Sequence, residues 1–148
     1  MENVLEPRGT IKMETLKESL MRMEGLSLKP YRDSVGLLTL GYGRCLAKRG
    51  ITQVEAEFLL DNDIAAVKEQ YEDLPGWVKS KCNGARKEVI LNMIFQLGFA
   101  GVLLFKRMLK AIMVGDYSKA AEEIIDSKAC RQCPNRFHEH ASRMRSGT

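Results

Sequence analysis

Apolar and polar positions alternate in three different registers along this chain, and each predicts an element. In residues 13–24, METLKESLMRME, Met13, Leu16, Leu20 and Met23 fall at i, i+3, i+7 and i+10. That is one stripe of an amphipathic helix, with Lys12, Lys17, Glu18 and Arg22 largely on other faces. Gly25 is a natural stop for it. From Lys29 to Gly43 the period changes: Pro30 forbids helix, Gly36, Gly41 and Gly43 punctuate, and LLTLGY is strand-prone, which predicts a hairpin or a three-stranded sheet. Thr52 and Glu55 then form a capping box ahead of Val54, Phe58, Ile64 and Val67, which predicts a helix of about five turns. LPGW at 74–77 reads as a turn. In 84–98, Val89, Ile90, Met93, Ile94 and Leu97 mark the broad apolar face of a central buried helix that ends at Gly98. A further helix over 102–115 stops at Gly115, Asp116 caps another over 117–129, and Pro134 suits the first turn of the last, PNRFHEHASRMR. Residues 1–12 read as a loose leader. The outline is a single α+β domain over 1–148, mainly helical (13–28 and 51–148), with a small β lobe over 29–50.

Length and composition agree with this outline. The 148 residues, 45% hydrophobic and 28% charged, suffice for a real core and exclude wholesale disorder. A net charge of +4 favours anionic partners without choosing among nucleic acid, lipid headgroups and acidic wall polymers. The N-terminal stretch lacks the basic start and the ~7–15-residue apolar run of a signal peptide. The longest apolar-leaning run, GFAGVLLF at 98–105, is far short of the ~20 residues a membrane span needs. Synthesis as a soluble cytoplasmic product is the expectation. Cys45, Cys82, Cys130 and Cys133 are then expected as free thiols. Cys130 and Cys133 form a CxxC followed by His138 and His140, but there is no second CxxC, and two histidines at i, i+2 on a helix point apart. No metal is expected.

The candidate chemistry lies in EGLSLKPYRDSVGLLTLGYG, residues 24–43. Glycosidic cleavage uses one carboxyl group to protonate the leaving oxygen and a second to activate water or stabilise an oxocarbenium-like transition state. Glu24, at the end of an apolar-striped helix near Met21, Met23 and Leu26, suits the acid, provided burial raises its pKa. Asp33, on the adjoining strand or turn, would stay wetter and ionised, and the hydroxyl of Thr39 could hold the attacking water. Spacing alone is weak ground, since 19 acidic residues produce such a pair by chance. A solvated glutamate at a helix end and an aspartate in a turn are common placements.

The words around the pair are far more specific. The segment closely resembles the signature of bacteriophage-type lysozymes, glycoside hydrolase family 24: E-G-x-x-L-x-x-Y-x-D-x-x-G-x-x-T-x-G-x-G. Glu24, Gly25, Leu28, Tyr31, Asp33, Gly36, Thr39, Gly41 and Gly43 fill every fixed place. NMIFQLG at 92–98 resembles the family's central-helix motif and PNR at 134–136 its C-terminal helix start, so the resemblance covers most of 13–148. It implies a lysozyme-like fold with an active-site cleft between a small β lobe and a larger helical lobe. It implies Glu24 as general acid, Asp33 as partner carboxylate and Thr39 as the residue that helps position water. Tyr31, Gln96 and Arg136 would bind substrate, with Phe95 packed beneath Gln96 and Arg136 orienting Glu24.

The activity implied is that of an endolysin: a muramidase cutting the β-1,4 bond between N-acetylmuramic acid and N-acetylglucosamine, with inversion. Neither cofactor nor metal is needed. The expected partner is peptidoglycan, with no nucleic acid, and the enzyme would work as a monomer. It would wait in the host cytoplasm for holin-dependent release. Two rivals are a lytic transglycosylase, against which Asp33 and Thr39 argue, and a non-catalytic basic helical module binding cell wall or nucleic acid. Departures from the pattern include Arg44, where the T-even phage member has a histidine, a short segment before the capping box that implies a smaller β lobe, and Ala129 and Cys130 in place of a tryptophan. Trp77 is read as a core or turn anchor rather than a sugar platform. Arg131, Arg136, Arg143 and Arg145 are read as a solvated basic face able to meet an anionic envelope. The eight methionines are read as core filler.

Overall fold

The computed structural model describes residues 14–148; the leader and Met13 of the first stripe lie outside the described residues. The chain divides into two compact units at Glu55/Ala56.

The first unit opens with α1 (Leu16–Glu24), started by a capping box in which the Thr15 side chain accepts from Glu18 N and the Glu18 carboxylate accepts from Thr15 N. Gly25, at φ 68°, closes the helix by donating to Met21 O at 3.2 Å. The chain then turns into an antiparallel sheet of β1 (Ser27–Arg32), β2 (Leu38–Gly41) and β3 (Arg44–Cys45), in the order β1-β2-β3. The strand begins two residues before Lys29, and Pro30 sits inside β1, which among the described residues is an edge strand, where proline is tolerated. The register is Tyr31↔Thr39 and Arg32↔Leu38, with a bulge back towards Ser27↔Gly41. The β2–β3 pair is only Thr39↔Cys45 and Leu40↔Arg44. A short α2 (Leu46–Arg49), which periodicity does not reveal, leads to Gly50.

The predicted box at Thr52–Glu55 is present: Thr52 N donates to Glu55 Oε2 at 2.8 Å and Glu55 N to Thr52 Oγ1 at 3.2 Å. It starts α3 (Gln53–Glu72), a 20-residue helix that continues into the second unit.

The second unit is helical. After α3 come α4 (Gly76–Lys81), α5 (Gly84–Leu103), α6 (Lys106–Met113), α7 (Tyr117–Ile125), α8 (Lys128–Gln132) and α9 (Pro134–Ser146). Ile90, Met93, Ile94, Met108, Ile112 and Phe137 are fully buried at its centre. Burial of each such side chain is worth roughly 1.5–3 kcal/mol. Gly98 breaks the helical backbone of α5 with φ 75° and ψ 163°, as its place in the pattern predicts, but a further turn to Leu103 follows before α6 begins. The predicted helix over 117–129 is two helices, because the Ser127 side chain accepts from Cys130 N and caps a new one. LPGW is not merely a turn: Pro75 starts α4, and Trp77 packs half-buried against the core.

The apolar stripes are not all covered, and the methionines are not all core filler. The apolar stripe of α1 forms on a helix but buries nothing: Leu16 and Met23 remain 76% and 71% exposed, and no residue of α1 is buried. Val54 and Phe58 of α3 are likewise exposed. The methionines divide accordingly, with Met93, Met108 and Met144 buried but Met21, Met23 and Met113 exposed. Periodicity marks a face as apolar; it does not supply its cover.

Candidate active site

The first unit carries Glu24, Tyr31, Asp33 and Thr39 together. Glu24 is the last residue of α1, and the sharp departure at Gly25 sends the chain away beneath it into β1. Its carboxylate comes to rest on Gly43, in the β2–β3 turn. A Cβ at Gly43 would lie 2.7 Å from Glu24 Oε2 and 3.3 Å from its Cδ, and Gly43 holds φ 73°. Only a glycine leaves that seat open without strain. Gly25, Gly41 and Gly43 are thus the hinges that fold helix end and turn onto each other.

Asp33 organises the β1–β2 turn. Its Oδ1 accepts from Val35 N at 3.0 Å and from Leu37 N at 2.8 Å, while its backbone N–H donates to Leu37 O and its carbonyl accepts from Gly36 N. Arg32 Nη1 braces the same turn by donating to Gly36 O at 2.8 Å. Both side-chain bonds fall on one oxygen, so Oδ2 is left for other work among the described residues. The turn role and the chemical role coexist in one carboxylate. Thr39 is 3% exposed, and its hydroxyl donates to Leu37 O at 3.2 Å, so the hydroxyl oxygen retains its capacity to accept. Tyr31 and Cys45 stand directly opposite Thr39 on the two neighbouring strands, which puts the three side chains on one sheet face.

The predicted burial of Glu24 is not found. Glu24 is exposed, and Met21, Met23 and Leu26 around it are 38%, 71% and 56% exposed, because α1 has no buried face to desolvate its last residue.

Gln96 and Arg136 belong to the second unit. Gln96, half-buried on α5, has a buried Oε1 without a hydrogen-bond partner among the described residues. Phe95 is not packed beneath it but 48% exposed, since neighbours on a helix point about 100° apart. Phe95 lines a cavity of about 370 Å³ with Leu60, Ile64, Asn92 and Arg136. Cys130 is buried and Cys133 exposed, His140 buried and His138 exposed, so the CxxC and the histidines diverge. All four thiols are free. Arg131 lies on α8, and Arg136, Arg143 and Arg145 on α9, with Arg143 half-buried rather than fully solvated.

Sequence reasoning passed over the Thr15–Glu18 box, which is legible as T-x-x-E and sets where α1 begins. It also read Arg44 only as a departure from the family pattern.

The profile of the phage lysozyme family matches residues 21–132. The chain is 29% identical to the probable T4-type lysozyme 1 of Dictyostelium discoideum, over 92% of this chain and 96% of that protein. It is 34% identical to the endolysin of Acyrthosiphon pisum secondary endosymbiont phage 1, over 72% of each. It is also 30% identical, over 82% of its length, to the pre-baseplate central spike protein Gp5 of Enterobacteria phage T4, of which it spans only 26%.

Proposed function

This chain belongs to the phage lysozyme family, and from that membership we propose that it is an inverting muramidase. As a family member it is a lysozyme-type hydrolase that lyses peptidoglycan. The finer reading is that it cuts the β-1,4 bond between N-acetylmuramic acid and N-acetylglucosamine.

The observation that carries this reading is the seat of Glu24 on Gly43, in the same small unit as Asp33 and Thr39. Glu24 donates a proton to the glycosidic oxygen as the bond breaks. Asp33, through the oxygen not used in its turn, accepts a proton from water or faces the developing positive charge. The Thr39 oxygen accepts a hydrogen bond from that water and orients it. Inversion requires the water on the face opposite the leaving group, with carboxyl groups roughly 6.5–9.5 Å apart. Tyr31, beside Thr39 and 38% exposed, offers a ring and a hydroxyl to the sugar. Gln96 and Arg136 are assigned to substrate binding by the family resemblance. A buried acceptor without a partner costs about 1–3 kcal/mol, which favours a ligand or water on the Gln96 amide. We read the protein as a monomeric endolysin that reaches the wall after holin-dependent release, with the arginines of α9 meeting anionic envelope.

Mass spectrometry of purified peptidoglycan after digestion tests the reading, with Glu24→Gln and Asp33→Asn in parallel and NMR of the first-formed anomer. Reducing muramic ends of inverted configuration, lost in both variants, are expected. Anhydro ends would make it a transglycosylase, and an active Glu24→Gln would remove Glu24 from the chemistry.

A further inference from the structure

Arg44 makes three polar side-chain contacts within the first unit. From β3 its Nη1 donates to Gly50 O at 3.0 Å and to Glu55 Oε2 at 2.8 Å, while Nη2 meets Glu55 Oε1 at 2.6 Å. The guanidinium is thus bidentate on Glu55 and also closes the α2–α3 corner, a geometry that a lysine cannot reproduce. Glu55 is in turn tied to Thr52 by the capping box, through Thr52 N at 2.8 Å and Thr52 Oγ1 at 3.1 Å. The Thr52 N–H first, and Arg44 after it, hold the Glu55 carboxyl below the usual range.

The strand on which this network acts is short. β3 is two residues long and meets β2 only through Thr39↔Cys45 and Leu40↔Arg44. A ladder this brief fixes little by itself. Yet it carries the two relationships on which the site depends: Gly43, one residue before Arg44, seats the Glu24 carboxylate, and Cys45, one residue after, pairs with Thr39. Arg44 stands between them in sequence, anchored to the first turn of a 20-residue helix.

We propose that Arg44 and Glu55 are a positioning pair for the muramidase reaction, pinning β3 to the start of α3 so that Gly43 and Thr39 hold Glu24 and the attacking water in register. Neither residue touches substrate. The inference rests on the proposed function, because it assigns Glu24 and Thr39 their roles.

Glu55→Gln removes the charge but keeps a capping-box side chain, so it separates the pair from the start of α3. Steady-state kinetics on soluble glycan strands released from peptidoglycan would compare it with Arg44→Ala, Arg44→Lys and the exchanged pair Arg44→Glu/Glu55→Arg. Displacement by about an ångström at a reacting group costs up to ~100-fold. The expected result is a kcat lower by about tenfold or more in Arg44→Ala and Glu55→Gln with KM within about twofold, a smaller loss in Arg44→Lys, and partial recovery in the exchanged pair. Circular dichroism at the assay temperature confirms which variants are folded. Folded Arg44→Ala and Glu55→Gln with parental kcat would overturn the proposal, as would a loss confined to KM. Glu24→Gln in the same assay keeps the two readings apart: if it is active the catalytic assignment falls, whereas if it is dead while the Arg44 and Glu55 variants are unimpaired only the positioning role falls.

Discussion

The Glu24 carboxylate rests on the bare Cα of Gly43: a methyl group there would stand 2.7 Å from Oε2. The nearest atom is the free end of a flexible side chain, so Gly43→Ala displaces the carboxylate more than it breaks the fold. The left-handed backbone at φ 73° adds about 1–2 kcal/mol of strain. Peptidoglycan-lysing activity should fall by about tenfold or more while the melting temperature drops only modestly. An Ala variant with parental activity would show that the seat does not matter.

Asp33 carries two functions that substitution can separate. Asn keeps an oxygen to accept from Val35 N and Leu37 N but loses the charge, while Ala loses both. Asp33→Asn should fold with near-parental stability and fail in lysis. Asp33→Ala should also lose about 1 kcal/mol, the ordinary net worth of such bonds. Denaturant titration of both variants beside the lysis assay decides, and an active Asp33→Asn would leave only the turn role.

His140 is 5% exposed on α9, edge-on to Phe137, and neither ring nitrogen has a hydrogen-bond partner among the described residues. Burial, then Arg136 and Arg143, lower its pKa against the opposing pull of Glu139. The sign follows from the unfolded chain, where the group titrates near 6.5. Its neutral form is favoured in the fold, so its contribution is fully present above about that pH and is lost as pH falls through 6.5 towards the lower folded value. Thermal melts at pH 7.5 and 5 should show the parent losing more stability than His140→Gln. Equal losses would exclude His140 as the source.

Arg86 lies 3.6 Å over the Tyr117 ring and donates from Nε to Met144 O at 2.9 Å and from Nη2 to Arg145 O at 3.2 Å, capping the end of α9. Tyr117 in turn donates its hydroxyl to Lys81 O at 2.7 Å. Arg86→Ala should cost about 2 kcal/mol from the lost charge-assisted bonds and stacking. Chemical denaturation would measure it, and a cost under about 0.5 kcal/mol would assign the cap no weight.

The cysteines should react in order of exposure. Cys133 is exposed, whereas Cys82 is 1% exposed with its thiol pushed up to about 11 by burial. A thiol-specific reagent at neutral pH should label Cys133 fastest and Cys82 only on unfolding. Mass-mapped labelling times give the order directly, and rapid labelling of Cys82 in the folded protein would contradict it.

Where an element's start or stop signal acts on its own turn, the sequence shows it. The Thr52–Glu55 box, Gly98, Asp116 and Pro134 each satisfy or deny a backbone group three or four residues away, so the string of letters contains the whole interaction. The division of 117–129 was not read, because Ser127 caps α8 through a bond that competes with continuing the helix, and the pattern alone does not rank the two. The candidate site was legible as a motif, with Glu24, Asp33 and Thr39 at family spacing, but not as a geometry.

Sequence by itself determined the longer helices, the small sheet and the family, but not α2, α4 or the division of α7 from α8, since the former rest on local periodicity, caps and a motif of nine fixed positions. Only tertiary structure decided that Gly43 is the seat of Glu24, that Arg44 grips Glu55 across eleven residues, and that His140 rather than His138 is buried. Nor could an apolar stripe reveal that α1 leaves its own residues uncovered. The physical reason is range: a cap is closed by neighbours in the chain, whereas a seat, a clamp or a buried ring exists only once distant segments have met.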